Sequence, residues 1–416
     1  MNAATIHFIQ AHLHDDVTRL ALHAKRTTEV DMSVALTQIE GYQLACVKLP
    51  TWCVAEGIEW PVRLSLEQCS SEPTALYKRD LLSSLGLHGA MADLTGGLGV
   101  DFSFLAPGFQ HATYVERNEQ LCDLARHNFP LLQLSHAHIV CADAIDMLEQ
   151  MPPVDFLFLD PARRDENGRK VVQLADCEPN VVRLHDLLLQ KAPCVMLKLS
   201  PMIDINLLCH QLDNIEQIHV VAVQNECKEV VVVLRCDHAD SPSIHCVNIL
   251  PDGLHIDVFT SDEEQGTTPS WAVGIGTYLY EPNASLLKAG CYKLLSSRHG
   301  VEKLHPSTHL YTSCELNSQW HGRIFRVEQV YPFSKSGIRQ ISKTLTQANI
   351  SVRNFPLTAQ ALQLRLKLRD GGEHYLFGTQ IGGQKVIIVA TKYFLPDDRQ
   401  ANHNRYPNKS NQTNLL

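Results

Sequence analysis

Three glycines within four positions, Gly96, Gly97 and Gly99, follow the run Met91-Ala92-Asp93-Leu94-Thr95 and precede Val100-Asp101. Glycine reaches positive φ at no steric cost, so the stretch predicts a buried strand, a tight turn and a helix start. Downstream, more apolar runs lead to acids: Tyr114-Val115 to Glu116, Ile139-Val140-Cys141 to Asp143, and Phe156-Leu157-Phe158-Leu159 to Asp160. The strand candidates are Ala90–Leu94, Ala112–Val115, His138–Cys141, Val154–Leu159, Cys194–Leu199, Ile218–Gln224 and Val230–Leu234. Helical periodicity fills gaps such as Glu119–Phe129 and Ala144–Gln150. Alternation of this kind predicts an α/β fold, with a Rossmann-like, mostly parallel sheet covered by helices on both faces.

A chain of 416 residues is long enough for several domains. Residues 1–66 show three- and four-residue apolar spacing and read as a helical segment, packed as a lid or brace on the α/β region 67–236. Beyond Asp237 the rhythm changes. Residues 237–330 hold a hairpin pattern around Pro251-Asp252-Gly253, a helix over 284–289 and strands near His309 and over 323–327, a small α+β domain. Residues 331–395 alternate helices over 336–345 and 358–366 with strands over 350–353, 375–379 and 385–392, and 396–416 read as a disordered tail.

Net charge is −9, unevenly spread: from Tyr331 onward there are 12 Lys and Arg against 4 Asp and Glu, whereas the first 330 residues carry 24 against 41. A basic module on an acidic body suits a nucleic-acid partner. The 13 cysteines include no Cys-x-x-Cys pair, so reduced, mostly buried thiols in a cytoplasmic protein are expected. No long apolar run points to a membrane. The 21 histidines show no His-Glu-x-x-His or Cys/His cluster, and no metal is expected.

The glycine turn lacks the third glycine of the dinucleotide fingerprint, because Phe102 stands at the sixth position from Gly97. It fits the methyltransferase pattern Asp-x-Gly-x-Gly-x-Gly with Thr95 at the first glycine. Asp93 would face the amino group of a bound S-adenosylmethionine (SAM), and Thr95, Gly96, Gly97 and Gly99 its methionine and ribose. Glu116, 23 residues after Asp93, stands where an acid accepts from ribose hydroxyls. Asp143 would accept from the adenine amine, with Ala144 supplying backbone.

Asp160-Pro161-Ala162-Arg163-Arg164 belongs at the carboxyl edge of the sheet. Exocyclic-amine methyltransferases carry Asp/Asn-Pro-Pro-aromatic there; Asp160 and Pro161 match, Ala162 and Arg163 do not, though an Arg163 guanidinium could stack on a base. Lys198 interrupts the apolar run Cys194-Val195-Met196-Leu197, an odd place for a charge. Lys78, Asp160, Lys198 and Glu229 resemble, in order, the Lys-Asp-Lys-Glu tetrad of FtsJ-type ribose 2′-O-methyltransferases. Lys198 reads equally as a structural ion-pair partner of Asp160 or Glu229.

The whole chain resembles the bacterial class I SAM-dependent methyltransferases with a C-terminal THUMP-like domain, often grouped with the RNA cap guanine-N2 methyltransferase-like proteins. The matching stretches include Glu67-Gln68-Cys69-Ser70-Ser71, Asp93 to Asp101, Asp160 to Arg164, Lys198-Leu199-Ser200-Pro201-Met202, Tyr280-Glu281-Pro282-Asn283-Ala284 and Val352-Arg353-Asn354-Phe355-Pro356-Leu357. The resemblance implies that 237–330 is ferredoxin-like, that 331–395 is THUMP-like, and that the Glu67–Ser71 segment lies over the cofactor. THUMP domains bind RNA, and Arg339, Lys343, Arg353, Arg365, Lys367 and Arg369 would form the surface for it. The expectation is a SAM-dependent methyltransferase acting on RNA, at a base amine or a ribose 2′-oxygen. The alternatives are a SAM-binding RNA-binding protein without turnover, or a protein or small-molecule methyltransferase.

Overall fold

All seven apolar runs of the α/β region fold as strands. In the computed structural model, which describes residues 1–23, 29–163 and 174–395, the chain divides into two units. One is Met1–His219 with Lys228–Pro242, the other Val220–Cys227 with Ser243–Leu416. The tail 396–416, Arg164 and the side chain of Arg163 lie outside the described residues.

In the first unit the strand order is Glu226–Arg235, which enters this unit at Lys228, then Cys194–Leu199, Phe156–Leu159, Ala90–Asp93, His111–Glu116, Ala137–Cys141. The last five are mutually parallel; Glu226–Arg235 runs antiparallel to Cys194–Leu199. Phe156–Leu159 and Cys194–Leu199 are buried throughout, which is why they read as unbroken apolar runs rather than alternating ones. From Ala90–Asp93 the chain winds outward to His111–Glu116 and Ala137–Cys141, then crosses back to Phe156–Leu159 on the other side of its start. That reversal opens a crevice at the carboxyl ends of Ala90–Asp93 and Phe156–Leu159.

The N-terminal segment is helical, as its periodicity predicts: Ala3–His12, Val17–His23 and Met32–Lys48, then Pro50–Cys53 and Arg63–Gln68. Asp31 caps the third by accepting from the Val34 N–H at 3.1 Å. Pro50 opens the fourth because a first-turn residue needs no N–H donor. Ala45, Leu49, Trp52, Trp60 and Leu66 share one buried cluster with Leu98 and Val100, so these helices brace the glycine turn from below.

In the second unit, Ser243–Leu250 and Gly253–Thr260 form the expected antiparallel hairpin. A seven-stranded sheet follows, ordered Glu302–His305, Thr308–Ser313, Tyr278–Pro282, Gly322–Pro332, Gln384–Tyr393, His374–Ile381, Asn349–Val352. One face packs Leu279, Leu310, Phe325 and Ile388 together; the other packs Leu376 and Ile387 against Ile341 and Leu362 of the helices Lys335–Thr344 and Ala359–Leu366. The division expected at 330/331 falls inside Gly322–Pro332, which pairs with Tyr278–Pro282 on one side and Gln384–Tyr393 on the other. Residues 278–393 therefore share one sheet. None of the 13 cysteines forms a disulfide, but only Cys122, Cys194, Cys246 and Cys291 are fully buried, fewer than the sequence suggested.

Candidate functional site

The glycine turn is fixed from both sides. Gly97 has φ +57° and Gly99 φ +83°, and Gly99 caps the helix Val100–Leu105. A Cβ on Gly96 would sit 2.1 Å from the Tyr114 ring, so no side chain fits there. Tyr114 donates its hydroxyl to the Gly97 carbonyl. Glu116 accepts from the Gly97 N–H at 2.9 Å and from the Asn118 N–H at 2.8 Å, which pins the turn to the next strand end. Asp143 caps the helix Ala144–Gln150 by accepting from the Ile145 N–H at 2.8 Å.

A cavity of about 310 Å³ opens over this turn. Every residue singled out for the cofactor lines it: Asp93, Thr95, Gly96, Gly97, Gly99, Glu116, Asp143 and Ala144. So do Asp160, Lys198, and the segment Gln68-Cys69-Ser70. Thr95 joins the two halves, because its hydroxyl accepts from the Asp160 N–H at 2.6 Å while its own N–H donates to Asp93 at 2.9 Å. Asp93 is 1% exposed. Burial pushes its carboxyl well above the usual range, the Asp101 and Asp160 charges add to that, and the Thr95 N–H opposes it.

The Lys-Asp-Lys-Glu set is brought together, but only half of it faces the cavity. Lys198 meets Asp160 at 2.5 Å. Lys78 pairs with Glu229 and sits at 0% exposure, with Glu229 at 3%; neither lines the cavity. The link between the pairs is Asp101, given no role in the sequence reading. It lies 3.2 Å from Lys78, 3.4 Å from Lys198, and accepts from the Ser70 hydroxyl at 2.7 Å. Its sequence signal was present: an acid among Val100, Phe102, Phe104 and Leu105 on a buried helix must be paired. Burial would lower the Lys198 ammonium, but the Asp160, Asp101 and Glu229 carboxylates outweigh it and hold it above the ordinary lysine range. These carboxylates favour the charged form of Lys198. The Asp160 side chain keeps 39% exposure.

Of the six basic residues expected to face RNA, all in the second unit, five are exposed: Arg339, Lys343, Arg365, Lys367 and Arg369. Arg353 does not belong with them. Its guanidinium is tied to Glu281 at 2.9 Å, and Arg323 bonds the same carboxylate. As expected, Arg365 lies on a helix, in the last turn of Ala359–Leu366, with its guanidinium 5.3 Å from the Phe333 ring centre, and Lys367 is the left-handed cap, φ +57°. Lys335 was missed. With Arg339 and Lys343 it recurs every fourth residue along the helix Lys335–Thr344, and all three are exposed on one face. Among the described residues no group of three or more His, Cys, Asp or Glu could hold a metal, and no helix is long and apolar enough to cross a membrane.

Residues 278–320 match a ferredoxin-like domain family, and residues 322–392 match a family described as THUMP domain-like. Two Mycobacterium tuberculosis proteins, from strains CDC 1551 / Oshkosh and ATCC 25618 / H37Rv, are each named an uncharacterized S-adenosylmethionine-dependent methyltransferase. Each is 26% identical over 330 residues, 78% of this chain and 86% of its own. A crystal structure of a provisionally assigned methyltransferase from Porphyromonas gingivalis W83 superposes with a TM-score of 0.82 at 36% identity, covering 94% of this chain and 98% of that one.

Proposed function

This chain belongs to the class I SAM-dependent methyltransferases with a C-terminal THUMP-like domain, and from that premise we propose that it methylates RNA at an exocyclic base amine. SAM is the cofactor. The cavity suits it: Gly96 has no room for a side chain and Gly97 and Gly99 are left-handed, so bare backbone is offered to the methionine end. Each Glu116 oxygen already accepts one N–H and keeps a second lone pair for a ribose hydroxyl. Asp143 and the Ala144 backbone flank the adenine position, and Asp93 the amino group. When bound, SAM supplies an electrophilic methyl on its sulfonium.

Alignment of the nucleophile is then the main requirement. Asp160 meets it by accepting a hydrogen from the incoming amine. Lys198 holds one Asp160 oxygen at 2.5 Å, and Thr95 holds the Asp160 backbone. The partly exposed Asp160 carboxylate at the cavity, clamped by the Lys198 ammonium, is the observation that carries this reading. A ribose hydroxyl is a poorer fit, since Lys78 and Glu229 stand away from the cavity and the charged form of Lys198 is favoured. The stripe Lys335, Arg339, Lys343, with Arg365, Lys367 and Arg369, supports an RNA partner through phosphate contacts. The test is transfer of labelled methyl from SAM to RNA, followed by nucleoside mass mapping. Label on a base amine is expected; label on ribose would redirect the reading to 2′-O transfer, and label only on protein or small molecules would remove RNA as substrate.

A further inference from the structure

Five charged side chains alternate in sign from the interior of the first unit to its cavity: Glu229, Lys78, Asp101, Lys198, Asp160. Each lysine stands between two carboxylates, and Asp101 is the one acid of the five that stands between two ammoniums. It also takes the Ser70 hydroxyl at 2.7 Å, so four segments meet on it: its own helix Val100–Leu105, the helix Glu72–Ser84 through Lys78, the strand Cys194–Leu199 through Lys198, and the cavity-wall segment Gln68-Cys69-Ser70.

We propose that Asp101 is a positioning residue for methyl transfer, fixing Lys198 and through it the Asp160 carboxylate, and coupling that alignment to the placement of the Ser70 segment in the cavity wall. The inference rests on the assignment of Asp160 as the acceptor for the nucleophile. Physically, the Lys198 ammonium has three donors and a flexible stem. Held by Asp160 alone it could swing with that side chain, which is 39% exposed. Held also by Asp101, which is 8% exposed and faces a lysine ammonium with each oxygen, Lys78 with one and Lys198 with the other, it becomes a fixed strut. Misplacement of a reacting group by an ångström costs about a hundredfold in rate.

Asp101→Asn keeps the shape and removes the charge. Single-turnover methyl transfer to RNA is expected to slow by about a hundredfold, while calorimetry finds SAM affinity within roughly threefold of wild type, since Asp101, although part of the cavity wall, is 8% exposed and turned to Lys78, Lys198 and Ser70. In parallel, mass mapping after amine acylation at alkaline pH is expected to find Lys198 about tenfold more reactive, as the loss of one carboxylate frees its amine. Transfer at the wild-type rate overturns the proposal, as does a loss that merely follows weaker SAM binding. If Asp101→Asn does not fold, Ser70→Ala decides: it keeps every charge and should slow transfer by roughly three- to tenfold, and an unchanged rate overturns the coupling. If wild-type protein transfers no methyl to RNA, the substrate reading falls, and Lys198 acylation still judges the role of Asp101, unchanged reactivity being the result against it.

Discussion

Each unit of this protein contains a buried acid flanked by two cations, and the two arrangements end differently. In the first, Asp101 sits between Lys78 and Lys198, and the chain of charges continues to Asp160 at the cavity. In the second, Glu281 at 2% exposure sits between Arg323 and Arg353, and the arrangement stops there, with both arginine side chains 39% exposed. The same local chemistry thus serves alignment in one place and cohesion in the other. What separates them is whether an exposed acid lies beyond the second cation. Lysine suits the first, since one ammonium can face two separate carboxylates; arginine suits the second, since its planar fork grips one carboxylate through more than one N–H, as Arg323 does.

The contrast can be broken by four measurements. Asp160→Ala should reduce methyl transfer by about a hundredfold or more with SAM affinity retained in calorimetry; a fully active variant would make the first arrangement as inert as the second. Glu281→Gln should cost roughly 2 kcal/mol in denaturant unfolding, less than a fully buried pair because the arginines reach solvent. SAM affinity should not change, and a change would give that cluster a reach it is denied here. Replacing Lys335, Arg339 and Lys343 with alanine should weaken RNA binding and flatten its salt dependence by about two to three units of slope. Arg353→Ala should leave that slope unaltered while lowering Tm. A slope that moves with Arg353 would return it to the RNA surface.

The smallest effect concerns Asp93. Its folded-state carboxyl is raised, so the folded protein keeps a proton that the unfolded chain loses above about pH 4. Stability then falls as pH rises from that value toward the raised one. Asp93→Asn should therefore melt roughly a few degrees higher than wild type at pH 7 and equally near about pH 4, while losing SAM affinity. For the wild type, SAM affinity should weaken on acidification, because the ligand's ammonium needs the ionised acid.

The sheet of the first unit was legible because period and burial coincide in it: runs such as Phe156–Leu159 and Cys194–Leu199 are apolar throughout and buried throughout. The turn was legible because Gly97 and Gly99 answer a backbone demand that is local. Asp101 was not, although it stood inside the most informative stretch. Its importance lies in partners 23 residues before it and 97 after it, and no local pattern encodes such pairing. Lys78 and Glu229, 151 positions apart, were named together only through resemblance. Resemblance supplied their company but not their depth, and so assigned to the cavity two side chains that stand behind its wall. The helix carrying Arg365 was legible, expected over 358–366 and found at Ala359–Leu366, whereas the left-handed cap at Lys367, a non-glycine residue at φ +57°, has no local signal in the letters.

The apolar seam between the N-terminal helices and the glycine turn bears on how such a catalyst can be cut down or transplanted. Trp52, Trp60 and Leu66 fill the underside of Leu98 and Val100. A trimmed version beginning at residue 67 would let water into the foundation of the ligand cradle. Any engineered minimal version, or any recombination that swaps the α/β layer between relatives, has to move those helices with it.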